Sequence, residues 1–110
     1  MIFSKKDNIS VLTQEKASIP ELVNEISKSY DDICRDNIIV NLATLDEVST
    51  SDVLEFLQIS NEHRDSNHSF VVVTNSIDLE EIPDEIIVVP TLQEAFDMIE
   101  MEEIERDLGF

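Results

Sequence analysis

Asn37-Ile-Ile-Val-Asn-Leu42 is the stretch on which the fold turns. Its apolar residues follow one another instead of alternating, and the run is too short for a helix. That pattern fits a strand covered on both faces, the usual state of strands in a parallel sheet. Two further runs share the character: Phe70-Val-Val-Val-Thr74, and Ile86-Ile-Val-Val89, which Pro90 stops. Upstream, Ile9-Ser-Val-Leu-Thr-Gln14 reads as another strand, and Ile2–Phe3 pairs with it across the polar turn at Lys5–Asn8.

Helical grammar fills the gaps. Ser18 can cap a helix, Pro20 falls in its first turn, and Glu21 stands three residues past the cap, which makes a capping box. Ile19, Leu22, Val23, Ile26, Tyr30 and Ile33 then recur at helical spacing. A second helix opens at Ser49-Thr-Ser-Asp52, with Val53, Leu54, Leu57 and Ile59 as its inner stripe, and ends near the polar segment Asn61–Asn67. Thr91 caps a final helix, Glu94 completes its capping box, and Leu92, Ala95, Phe96 and Ile99 face inward. The order read from these signals is β-β-α-β-α-β-α. The fold class is α/β: one domain over residues 1–110, with a mixed, mostly parallel sheet of four to five strands covered by helices.

Charge narrows the function. The 110 residues carry 25 acidic and 7 basic side chains, a formal net charge of −18, with the larger share of the acid in the C-terminal half. Such a field repels phosphate backbones and anionic lipid, because binding either one needs clustered Lys and Arg. Nucleic acid and membrane surfaces are therefore not expected partners. The acidity serves either solubility or the steering of a basic protein. Cys34 is the lone cysteine, so no intramolecular disulfide can form, and a single thiol suits a reducing compartment. Lys5 and Lys6 follow two apolar residues with no apolar run after them, unlike a signal peptide, and a cytoplasmic location is the expectation.

Catalytic parts are missing. Gly109 is the only glycine, so neither a phosphate-cradling loop nor a Gly-x-Ser-x-Gly elbow can be built, and sharp turns fall to Asn8 and Asn75. The two histidines lie in His63-Arg-Asp-Ser-Asn-His68, read as a solvated loop; with Asp65 they would make a poor metal site. Cys34 lies before a strand and both histidines after the next helix, so no thiol–imidazole pair is indicated. No catalytic residue, metal or cofactor is expected.

Asn41-Leu-Ala-Thr-Leu-Asp-Glu-Val-Ser-Thr-Ser-Asp-Val-Leu54 resembles the strand–turn–helix signature of STAS domains, the family of bacterial anti-sigma factor antagonists. Leu42 and Leu45 match its two leucines, and Ser49-Thr50-Ser51-Asp52 occupies its Asp-Ser-Ser-Gly place. The resemblance implies a non-enzymatic regulatory or scaffolding domain that acts through protein contacts at the helix start. Its partner would be a kinase or an anti-sigma-like regulator, or a second copy in a dimer. By position the phospho-acceptor would be Thr50. The chain departs from the pattern at Ser49, where an acid usually precedes the acceptor, and at Asp52, where glycine is usual.

The C-terminal segment, residues 88–110, is similar to the end of small bacterial STAS-like proteins often labelled ribonuclease Z. Two isolated histidines cannot supply that enzyme's zinc cluster, so the label implies association with the enzyme and not its activity. Met98, Met101, Ile104 (or Glu105) and Leu108 follow helical spacing on a face rotated from the inner one, and Met101, Ile104, Leu108 and Phe110 are its candidate edge. They form either an exposed edge for a partner or dimer, or a tail that folds back into the core. An alternative from another class is a degenerate small-ligand module, with Thr74, Asn75 and Thr91 around a cleft at the carboxyl ends of the strands.

Overall fold

The structure is a computed structural model and describes residues 2–14, 19–45, 48–77 and 79–109. Five strands, β1 (Ile2–Lys6), β2 (Ile9–Thr13), β3 (Asn37–Asn41), β4 (Phe70–Val73) and β5 (Ile87–Val89), form one sheet in the order β1-β2-β3-β4-β5. β1 runs antiparallel to β2, and every other pairing is parallel. β3 is central, which accounts for its continuous apolar run: Ile38, Ile39 and Val40 are all fully buried.

Among the described residues four helices accompany the sheet: α1 (Ile19–Ile33), α2 (Thr50–Leu54), α3 (Leu57–Asp65) and α4 (Leu92–Asp107). Strand order explains their placement. When each parallel strand is added on the same side of the last, right-handed crossovers put every connecting helix on one face. Accordingly α1, α2 and α3 lie over Leu12, Ile38, Val40, Phe70 and Val72. α4 follows the last strand, is not a crossover, and covers the opposite face of Val11, Ile39, Val71, Val73 and Val89. The two sets alternate along each strand, as the period of two requires.

All five strand runs read from the sequence are strands, although the order β-β-α-β-α-β-α counted only four of them, and the described residues hold one helix more than that order. A short 3-10 turn at Leu79–Glu81, and no full helix, joins β4 to β5. The expected second helix is two, broken at Glu55–Phe56. Phe56 is fully buried, whereas Leu54, expected inside, is 38% exposed. Successive helical residues are about 100° apart around the axis, so Leu54 cannot share the inner face that Val53 and Phe56 occupy. α3 runs on through the segment read as loop, as far as Asp65. Among the described non-glycine residues the left-handed turn positions are Asp7 (φ 53°) and Asn67 (φ 67°), not Asn8 and Asn75. Ser18, the expected cap of α1, and Phe110 lie outside the described residues.

α4 changes the character of its inner face partway along. Ala95 and Ile99 are buried against the sheet. From Glu102 onward the inward positions are polar, and they are tied to the amino ends of the strands. Asn8 and Asn37 both donate their side-chain amides to Glu103 Oε1, at 2.7 and 2.6 Å. Arg106 donates to Ser69 Oγ (3.2 Å) and Asn37 Oδ1 (3.4 Å). Arg64, at the end of α3, reaches around the sheet to Glu102 at 3.0 Å. The tail therefore does not fold back as apolar core. It is latched by polar groups, and Met101, Ile104 and Leu108 are turned outward at 49%, 53% and 66% exposure.

Candidate functional site

The α2 start follows β3, at the carboxyl end of the parallel strands. Leu42 and Val48 anchor the connecting segment in the core beneath the helices. Ser49 is the N-cap: its hydroxyl oxygen accepts from Asp52 N–H (3.1 Å), and Asp52 Oδ2 accepts from Ser49 N–H (3.0 Å). This reciprocal pair is a capping box. It also gives Asp52 a local task at the place where the STAS pattern has glycine.

Thr50 is the first residue of α2 and takes no part in that cap. Its hydroxyl donates instead to Glu81 Oε2 at 2.9 Å, across to the turn between β4 and β5. Thr50 is half-buried, and Ser51 and Glu81 are exposed. The structure thus brings together Ser49, Thr50, Ser51 and Asp52 with Glu81, a residue that no sequence motif indicated. Ser49, Asp52 and Glu81 accept the hydrogen bonds here, the last two as carboxylates, and the Thr50 hydroxyl bridges the two segments.

The histidine expected in a loop is the largest correction. His63 is fully buried on α3. Its Nε2 lies 2.7 Å from the backbone carbonyl of Asp36, which can only accept, so Nε2 carries the proton. Nδ1 of the neutral ring then accepts from the Tyr30 hydroxyl, also at 2.7 Å. Burial holds the imidazole pKa below its ordinary 6.5; the Asp36 carbonyl opposes this, while the His68 and Arg64 charges reinforce it. Burial likewise raises the Tyr30 pKa. With both ring nitrogens occupied, His63 has no lone pair for a metal. Among the described residues no group of three or more His, Cys, Asp or Glu side chains could hold an ion.

The other nominated groups have structural partners as well. Cys34 is half-buried, with its thiol 3.6 Å from the Asp31 carbonyl. Thr74 is buried and its hydroxyl oxygen accepts from Ser76 N–H at 3.3 Å. Thr91 caps α4 through Glu94 N–H at 3.2 Å. Asn75 is exposed. Two of the three groups proposed to line a ligand cleft therefore already accept a local backbone hydrogen bond. No helix among the described residues is long and apolar enough to cross a membrane.

No protein-family model and no curated protein matches the chain. Solved structures do. A glutamate-for-serine variant of RsbS from Moorella thermoacetica superposes with a TM-score of 0.65 at 15% sequence identity, over 96% of this chain and 97% of that one. TM1081 superposes with a TM-score of 0.66 at 13% identity, over 89% of this chain and 86% of that one. The five-stranded mixed sheet with its helices is a STAS-like fold.

Proposed function

We propose that the chain is a regulatory protein-interaction domain without catalytic activity of its own, that its contact surface is the start of α2, and that phosphorylation of Thr50 switches the contact. One observation carries this reading: Ser49 does the capping, which leaves the Thr50 hydroxyl on a surface tie to Glu81. The likeness of fold to RsbS, an anti-sigma factor antagonist, supports a regulatory role.

The chemistry is local. A phosphate ester on Thr50 removes the proton that Glu81 accepts and adds nearly two negative charges at that spot. Glu81 would then face a dianion, with Asp52 two residues along, and the helix start and the β4–β5 turn would be driven apart. A partner that reads both segments together would lose its surface. The partner would be a kinase or an anti-sigma-like regulator that recognises the unmodified form.

Mass spectrometry of protein from its native cell tests the modification, and affinity capture with Thr50→Ala and Thr50→Asp tests the switch. Thr50→Ala loses one exposed hydrogen bond and should retain the partner. Thr50→Asp sets a carboxylate against Glu81 and should release it. Equal capture by both variants would sink the switch.

A further inference from the structure

We propose that the outer face of α4 around Met101, Ile104 and Leu108 docks a cationic amphipathic helix of a partner protein. This surface is separate from the Thr50 surface: α4 is latched at the amino ends of the strands, and α2 begins at their carboxyl ends.

Single exposed apolar residues are ordinary, but this is a stripe at i, i+3 and i+7, about 10 Å along one helix face. It is held outward by the latch on its other side. Glu102, Glu103 and Arg106 are engaged with Arg64, Asn8, Asn37 and Ser69, so α4 cannot roll its apolar stripe inward without breaking those bonds. The chain has therefore fixed the orientation that leaves three large apolar side chains in water, at 49%, 53% and 66% exposure.

Charge selects the occupant. Glu100, Glu105 and Asp107 are exposed beside the stripe, and the one basic residue of α4, Arg106, is turned to Asn37 and Ser69. A second copy laid stripe to stripe would bring these carboxylates against their own counterparts, a like-charge arrangement that opposes association. Anionic lipid and nucleic acid meet the same obstacle. A helix with an apolar stripe flanked by Lys and Arg satisfies both features, in the manner of helix-in-groove recognition.

The probe is a pair of fluorescent Leu/Lys peptides of identical composition, one with helical apolar period and one shuffled. Pure charge attraction to a −18 protein serves both peptides alike, so the difference between them reads the stripe. The periodic peptide should bind about 10-fold more tightly than the shuffled one, the gain expected from seating an apolar anchor or two. The Ile104→Ser/Leu108→Ser variant keeps the charge, should keep the parent's circular dichroism, and should bind both peptides equally. Amide chemical shifts in the parent should move in residues 97–109. Equal binding of the two peptides by the parent would overturn the proposal. So would a parent dimer in sedimentation that the double variant dissolves, because the stripe would then cover itself. Thr50 variants should leave the peptide affinity unchanged, so failure here is distinct from failure of the phospho-switch.

Discussion

His63 couples the stability of the fold to pH on the acid side. The folded state binds its proton less readily than the unfolded chain, because burial holds the pKa below 6.5. The unfolded state therefore binds more protons once pH drops below about 6.5, and stability falls with pH from there until the folded ring itself titrates. Above that window His63 contributes no slope. Urea midpoints measured from about pH 7.5 to 5.5 should decline more steeply in the parent than in His63→Leu, whatever the absolute stability of the variant. Protonation would also break the bond in which Tyr30 donates to Nδ1. Tyr30→Phe leaves that buried nitrogen without a donor and should cost about 1–3 kcal/mol in denaturant unfolding. Sequence pattern pointed the wrong way here, because His63 sits among Glu62, Arg64 and Asp65, and a polar neighbourhood reads as solvent. The available signal was spacing: Ile59 and Ser60 each stand three or four residues from both Phe56 and His63, and all four are buried.

At the scale of the element, two helix ends are held by different means. Ser49→Ala removes the α2 cap, and should cost about 1 kcal/mol. The C-terminal end of α4 is held by its polar latch. Glu103→Ala strands the amide of Asn37, which is only 2% exposed, and should cost about 1–3 kcal/mol. Amide exchange should speed up in residues 100–109 of that variant and stay unchanged in α1. The strands and α1 were legible because runs such as Phe70–Val73 and the Ile19–Leu22–Ile26–Ile33 stripe each serve a single environment. α4 was half legible. Its apolar residues lie inside over one stretch and outside over the next, and only the partners of Glu103 and Arg106, far away in sequence, decide where the change falls. The Ser49–Asp52 cap could be read from residue type; Glu81, 31 positions from Thr50, could not.

At the scale of the whole molecule the charge is mostly of one sign, 25 acidic against 7 basic side chains. Among the described residues the ion pairs are Lys5–Asp36 and Arg64–Glu102, set against a net charge of −18. Self-repulsion at that density opposes the compact state, and added salt screens it over about 10 Å at 0.1 M. The melting temperature should therefore rise between about 10 and 300 mM sodium chloride, most steeply at the low end. A flat response would mean that bound cations or local pairing already neutralise the surface. The strand order also has a bearing on how the chain is made. Each of the five strands is laid beside the one synthesised just before it, so the sheet can grow at one edge as the polypeptide emerges, and no strand waits for a slot to open. Covering follows a different schedule. The face under α1, α2 and α3 is closed as the crossovers form, whereas Val11, Ile39, Val71, Val73 and Val89 stay bare until α4 has been made and has docked. A chain truncated before Leu92 would keep all five strands but leave one apolar side of the sheet open to water.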